Sequence, residues 1–373
     1  MLTRLYVDNY KCLVNFDLRL GREHLLMGRN GTGKTTVFEV LSALRRLQSQ
    51  GAAVSEVFPP ATLTRWQRRT RQVFELEVSL DGEVYRYRLE VEHDAEQGRS
   101  RVDREALHHE GTSLFVYEPG QEFAKFLAQD GQTHLIWPGP ERTGLYFFRD
   151  SAPWHPKLRR FASWFERLYV VRIDPRRMTG RSEAEQATPA EDLSNFASWY
   201  RHLAQERLNE VVRLRDDLRG IFDGFDALIL KSGGEGIRML RALWRREASG
   251  ASVSASDEYT FDELSEGQRA LIGLYTLLHF LSGSGATLCL DEPDNFVALS
   301  EIQPFLLALR EQEHLQALLI SHHPEVINLL APESGLWFER IANGPVRVGP
   351  FQAPPEAAVP AAELVARGWE DGK

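Results

Sequence analysis

The stretch Gly28-Arg29-Asn30-Gly31-Thr32-Gly33-Lys34-Thr35 satisfies the pattern G-x-x-x-x-G-K-[ST], in which every required residue type has a task at a polyphosphate. Glycines let backbone N–H groups turn inward around anionic oxygens, and a helix starting behind them adds partial positive charge. Lys34 has the length to place its ammonium on the β- and γ-phosphates, and Thr35 offers a hydroxyl to Mg²⁺. Asn30, Gly31, Thr32, Gly33 and Thr36 complete the candidate nucleotide-binding set of the loop. Three further groups lie in the second half of the chain. Leu264-Ser265-Glu266-Gly267-Gln268-Arg269-Ala270 places Ser265 and Gln268 at capping-box spacing. The apolar run Ala286–Leu290 ends in Asp291-Glu292: Asp291 suits a Mg²⁺-holding carboxylate of the Walker-B type, and Glu292 a general base or water-orienting group. The apolar run Ala317–Ile320 ends in Ser321-His322-His323-Pro324, where His322 is a candidate γ-phosphate sensor.

These residues need elements to hold them, and the hydropathy pattern supplies them. Leu25-Leu26-Met27 reads as a buried strand entering the loop, and Val37, Val40, Leu41 and Leu44 mark a helix leaving it, to about Leu47. Residues 1–24 read as two strands, with Val14, Phe16, Leu18 and Leu20 alternating against polar neighbours. A hairpin is expected with its turn at Asp81-Gly82, and a second near Glu110-Gly111. His108 and His109, adjacent on that strand, face opposite ways and are read as surface residues, a poor metal pair. From 151 to 254 the pattern turns helical: Thr188-Pro189-Ala190-Glu191 has the form of a capping box, and apolar residues recur from Leu193 to Leu218, as one helix or two broken near Gln205. Gly250–Asp257 reads as a mobile Ser/Ala-rich loop. Acidic residues at the end of buried strands sit where ligands bind in open α/β sheets. The expected fold is therefore α/β, divided into a first lobe with the phosphate loop and β hairpins (1–150), a helical insertion (151–254) and a second lobe (255–373).

Composition sets outer limits. The chain has 373 residues, 43% of them hydrophobic, enough for a sizeable core, and a formal net charge of −9 that argues against coating nucleic acid by bulk charge. Local basic groups remain: Arg65, Arg68, Arg69 and Arg71 around Trp66, then Arg176-Arg177, Arg181 and Arg245-Arg246, each either a solvated face or a phosphate contact. Two distant cysteines, Cys12 and Cys289, suit a reducing compartment without a disulfide framework. The first residues lack the apolar stretch of a secretory signal, and no run approaches the ~20 apolar residues of a bilayer span, so a cytoplasmic protein without a membrane partner is expected.

In order along the chain, the phosphate loop, LSEGQ, the strand ending in Asp-Glu and the strand ending in Ser-His resemble the motif set of ABC-type ATPases, with Glu266 where the commonest signature has glycine. Asn30 and the element Tyr6-Val7-Asp8-Asn9-Tyr10-Lys11-Cys12 resemble the SMC, RecF and OLD-like branch rather than transporters. Asp291-Glu292-Pro293-Asp294-Asn295, Ile320–Glu325 and a C-terminal hairpin around Phe338–Val348 are similar to the small bacterial OLD-like predicted ATPases. The resemblance implies a P-loop NTPase fold of the ABC type, with a mixed sheet, an antiparallel N-terminal lobe and an insertion in place of the SMC coiled coil. It implies ATP and Mg²⁺ as ligands, Lys11 near the phosphates, and a Q-loop glutamine at the metal, for which Gln72 is the candidate. It also implies a homodimer sandwiching two nucleotides, in which Ser265, Gly267 and Gln268 meet the partner's γ-phosphate at an exposed helix N-terminus. Ala298 stands about where a transporter-type aspartate would fall. Residues beyond Leu330 are too few for a Toprim nuclease domain, so any nuclease would be another chain. The reading that follows is an ATP-hydrolysing switch that dimerises on ATP and controls a separate effector in bacterial anti-phage defence. Its rivals are a RecF- or SMC-like ATPase acting on DNA in repair, and the ATPase subunit of a transporter.

Overall fold

A computed structural model describes residues 1–148, 155–245, 256–352 and 359–368. In chain order, strands β1 (Leu2–Asp8), β2 (Phe16–Arg19) and β3 (Glu23–Gly28) lead into helix α1 (Lys34–Gln50) and the single turn α2 (Val54–Val57). A run of strands follows: β4 (Arg71–Leu80), β5 (Glu83–Asp94), β6 (Arg99–His109), β7 (Thr112–Tyr117), β8 (Ala124–Leu127) and β9 (Thr133–Ile136). Next come α3 (Pro156–Trp164), β10 (Leu168–Val171), β11 (Arg181–Ser182), α4 (Phe196–Glu206), α5 (Leu208–Ile221), β12 (Phe225–Gly234), β13 (Ile237–Arg245) and β14 (Ser256–Thr260). The chain closes with α6 (Glu266–Leu281), β15 (Thr287–Asp291), α7 (Leu299–Arg310), β16 (Gln316–Ile320), α8 (Pro324–Ser334), β17 (Gly335–Arg340), β18 (Val346–Pro350) and α9 (Ala361–Ala366).

The central sheet has the order β10-β15-β16-β3-β17-β18 and is parallel except for the β17–β18 hairpin. Its strands are apolar on both faces, as a covered parallel sheet requires. Alternation divides them between two cores. Leu26, Cys289, Leu318 and Ile320 join α1 and the antiparallel sheet on one side. Leu25, Met27, Leu288, Leu290 and Leu319 join α4–α8 on the other. The antiparallel sheet, in the order β2-β1-β4-β5-β6-β7-β8-β9, forms the first lobe together with its two expected hairpins. The α/β fold with a mixed sheet and an antiparallel lobe is thus present.

The stretch 151–254 differs from a purely helical insertion. Its described residues contain β10, which completes the central sheet, and β12 and β13, which pair antiparallel in a four-stranded sheet. Phe225, Leu228, Leu240 and Ala242 point into the core from these strands; a register shift between Phe225 and Ala227 puts the two buried residues of β12 three apart, so the period-2 signature of a strand is absent there. The capping box at Thr188 is also overturned. Residues 188–195 form turns, and α4 starts after Asn195, whose carboxamide accepts from Ala190 N (2.8 Å) and donates to the Thr188 carbonyl (3.0 Å). Local capping chemistry at Thr188 loses to a tertiary demand: Leu193, at φ 56°, is fully buried in the second core. Two helices do break near Gln205, at Arg207. The expected mobile loop at Gly250–Asp257 falls outside the described residues up to 255, and so does Arg246; Ser256 and Asp257 lie in β14.

Candidate functional site

The register of the parallel strands assembles the site. Asp291 pairs with Ile320, Ile320 with Leu26, and Gly28 with Phe338, so the phosphate loop, Asp291-Glu292 and Ser321-His322 emerge along one sheet edge. Gly28 sits at φ 138°, and a Cβ there would lie 2.3 Å from the Phe338 carbonyl oxygen, so the loop can leave β3 only through glycine. The loop ends at Gly33, the N-cap of α1.

A cavity of about 960 Å³ opens at this edge, within the range of pockets that enclose a small ligand. Asn30, Gly31, Gly33, Lys34, Thr35, Thr36, Glu292, His322 and Lys11 all line it. Thr32 turns aside, its hydroxyl donating to the Arg29 carbonyl (2.8 Å). Lys34 Nζ folds along the loop and donates to the carbonyls of Gly28 (2.8 Å) and Arg29 (3.1 Å); burial lowers its pKa, against the pull of Glu292 and Asp291. Asp291, only 5% exposed, is pushed above the usual carboxylate range by burial, opposed by Arg172, Lys34 and a hydrogen bond with Thr35. Burial, with Lys34 second, holds His322 below the ordinary histidine value and therefore neutral at pH 7. His323 instead caps α8, accepting from Glu325 N at 3.2 Å, which separates the site histidine from its structural neighbour. Glu292 adopts φ 52°, accepts from Asn295 Nδ2 (2.8 Å) and lies 3.8 Å from Arg172. Lys11 pairs with Glu39 at 2.6 Å across the mouth.

The residues fit a magnesium–nucleotide complex. Among the described residues no group of three or more His, Cys, Asp or Glu side chains gathers as a metal cage. What is present is one hydroxyl and one carboxylate beside a phosphate cradle, the donor set of an ion held mainly through substrate phosphates and water.

Gln72 is not part of this set. Fully buried, its amide donates to Asn9 O (3.1 Å) and Thr62 Oγ1 (3.1 Å), and its oxygen meets His93 Nε2 (2.9 Å). Burial pulls His93 down to about 4, so the ring stays neutral in this network. Gln72 ties the turn around Asn9–Lys11 to the segment around Thr62, where Lys11 N donates to Thr62 O at 2.7 Å. His109 is likewise not a surface residue: it is 5% exposed and its ring is tilted against Tyr85, while Lys157 and Glu83 flank it.

Ser265, Gly267 and Gln268 do not line the cavity of their own chain. Ser265 Oγ accepts from Gln268 N (3.1 Å) and Gln268 Oε1 accepts from Ser265 N (3.0 Å), closing the capping box. Gly267 packs so tightly that a Cβ would lie 2.8 Å from the Phe296 carbonyl oxygen. The basic groups are largely spoken for. Arg69 pairs with Asp8 (2.6 Å), Arg71 with Asp103 (2.8 Å) and Glu90 (3.2 Å), Arg176 with Glu266 (3.0 Å) and Arg245 with Asp226 (3.4 Å). Arg65 and Trp66 instead line the cavity, together with Arg340 at the end of β17 and Asn343 in the turn that follows it. Sequence reasoning missed that convergence, although the aromatic among arginines at 64–71 was its trace.

Among the described residues no helix is long and apolar enough to cross a membrane. No curated protein matches the chain in sequence. In overall shape it is similar to the crystal structure of the SmcHead bound to the C-winged helix domain of ScpA, with TM-score 0.57 and 11% identity over 94% of this chain and 98% of that one. It also aligns with the SMC head domain from Thermotoga maritima, at TM-score 0.47 and 12% identity over 94% and 99% of the two chains. Residues 24–328 match the family described as "AAA domain, putative AbiEii toxin, Type IV TA system". With that match spanning most of the chain, on a P-loop fold of the SMC-head kind, the protein belongs to this AAA family and is an ATP-hydrolysing enzyme.

Proposed function

We propose that the protein is an ATP-driven switch whose two copies close head to tail over two nucleotides, each copy supplying the phosphate loop of one site and the Ser265 helix start of the other. The observation that carries this reading is the split within one chain: Lys34, Thr35, Glu292 and His322 share a cavity from which Ser265 and Gly267 are absent. A helix N-terminus with an exposed serine offers N–H groups and partial positive charge to an anion, and Ser265 and Gly267 lie outside the phosphate cavity of their own chain.

Within the composite site each side chain has a physical task. Lys34 exchanges its loop carbonyls for phosphate oxygens, and Thr35 with Asp291 holds Mg²⁺. The ion, when bound, screens phosphate charge and steadies the leaving group. Glu292 orients the attacking water and takes its proton, while neutral His322 donates a hydrogen bond toward the γ-phosphate. Asp291, costly to bury as an anion, is relieved by a cation at that point.

The output is exerted on a second protein. The family's description names a toxin of a Type IV TA system, and the SmcHead of similar fold is bound to a domain of another protein; both support a partner-controlled role, here assigned to anti-phage defence. The DNA-repair alternative gains little, because Arg69 and Arg71 spend their charges on neighbouring carboxylates. Light scattering of Glu292→Gln with and without Mg-ATP tests the switch. An ATP-dependent dimer is expected, and a monomer at saturating ATP refutes it. Short duplex DNA added to the same sample, if it changed size or turnover, would favour the repair reading.

A further inference from the structure

The phosphate-loop cavity is larger than a triphosphate needs, and its far wall has a different chemistry. Besides the phosphate loop, the lining includes Ala61, Leu63 and Trp66, joined by Arg340 from the end of β17. The Trp66 indole is 44% exposed at this lip. The Arg340 guanidinium lies 5.5 Å from its ring centroid, a cation–π distance. Arg340 is fixed by backbone carbonyls alone: Gly344 (2.9 Å), Asn343 (3.3 Å) and Gly31 of the phosphate loop (3.4 Å). Among the described residues no carboxylate pairs with it, so its charge stays available to a ligand. The wall is rigid as well. Its segment is anchored through Thr62, which receives both Lys11 N and the Gln72 amide, and through the Gln67 N to Thr64 O bond (3.1 Å). A planar aromatic on a preformed wall, backed by a guanidinium tied to the phosphate loop, suits a flat π-system joined to a polyphosphate.

We propose that Trp66 and Arg340 form the nucleobase seat of this site: the purine of the bound nucleotide stacks on Trp66 while its phosphates occupy the loop. The proposal rests on the nucleotide reading above and adds a wall that the phosphate motifs do not specify. It explains why Arg340, at the end of β17, reaches back to the Gly31 carbonyl, since that contact ties the base seat to the phosphate cradle. It also gives the buried Gln72–His93 pair a purpose, as the prop beneath the wall.

Calorimetric titration of the full chain with Mg-ADP and with Mg-tripolyphosphate separates the two parts of the ligand; ADP has no γ-phosphate to drive dimerisation. Wild type is expected to bind both. Trp66→Ala should lose roughly ten-fold in ADP affinity, as base-stacking aromatics do on truncation, and keep tripolyphosphate affinity within about two-fold. Trp66→Phe should recover most of the ADP loss. Trp66 is exposed, so the change opens no core, and Arg340→Gln is a second, independent probe with the same expected asymmetry. Unchanged ADP binding in both variants overturns the seat, as does an equal loss of ADP and tripolyphosphate. Unchanged ADP binding with loss of the ATP-dependent dimer would make Trp66 a dimer contact instead, and also overturns it. Wild type binding neither ligand would refute the nucleotide reading itself, a result distinct from failure of the seat alone.

Discussion

At the phosphate-loop edge Lys34, Thr35 and His322 line one cavity with Asp291 hydrogen-bonded to Thr35 beside it, whereas the helix start at Ser265–Gln268 lies outside that cavity with Ser265 and Gln268 satisfying one another. The first region holds unspent electrostatics: a buried carboxyl pushed up by desolvation and a lysine pushed down by it, each awaiting a charged ligand. The second is at rest, since its capping box stabilises the helix without any ligand. The difference teaches where control can enter. A region that is preorganised but uncomfortable binds its ligand in one chain. In the proposed dimer, a region that is comfortable alone contributes when a second surface, with an anion on it, is brought to it.

Substitutions can break or sharpen this contrast. The largest effect is expected at Glu292. Glu292→Gln should lower steady-state ATP turnover by about 10²–10⁴-fold, the span attached to general-base catalysis, while equilibrium ATP binding stays near wild type. Turnover within a few-fold of wild type would remove Glu292 from the chemistry. Next, Ser265→Arg should suppress turnover and the ATP-dependent dimer together, yet leave ADP affinity of the monomer unchanged. Retained dimerisation in gel filtration would erase the contrast, because the signature side would then not be the trans surface. Asp291→Asn sharpens it from the other side. A carboxyl whose folded-state pKa is raised costs stability once pH exceeds its unfolded value, and that cost is fully present above the folded one. The nucleotide-free Asp291→Asn protein should therefore melt higher than wild type at pH 8 and no longer respond to Mg-ATP. A lower melting temperature would mean that the carboxylate supports the fold.

The smallest effect serves as a control away from both regions. Glu105, fully buried and hydrogen-bonded by Gly144 N (2.6 Å) and Tyr87 OH (2.9 Å), is pushed up to about 7 by burial. Its raised value makes wild-type stability decline as pH climbs from its unfolded range toward about 7. Glu105→Gln should flatten that part of the melting-temperature profile and leave the ATPase rate at fixed pH unaltered. An unchanged profile would assign the slope to other groups.

Much of this was legible in the residues. The phosphate loop, the two acidic and histidine-bearing strand ends and the Ser265 box are local patterns, and each appears at the element its flanks implied. So do the hairpins turning at Asp81-Gly82 and Glu110-Gly111. Four features were not legible. The β12–β13 pair was not read as strands because the register shift between Phe225 and Ala227 removes period 2 from the buried residues of β12. Thr188 had the chemistry of a cap, yet the chain had to bury Leu193 first. Gln72 had a plausible identity and the wrong environment, a fully enclosed one. Trp66 and Arg340 lie so far apart in sequence that no window contains both.

The sequence alone determined the types of chemistry, because glycine, lysine, carboxylate and imidazole at those spacings have few other uses on strand ends. Tertiary structure decided which of them meet. Strand register aligned Gly28, Asp291 and His322, and β17, paired with β3, delivered Arg340 at its end to Trp66. It also left Ser265 out of the cavity of its own chain. The reason is physical: motif chemistry is written in residues a few positions apart, whereas desolvation, register and close approach depend on which distant strands bury one another.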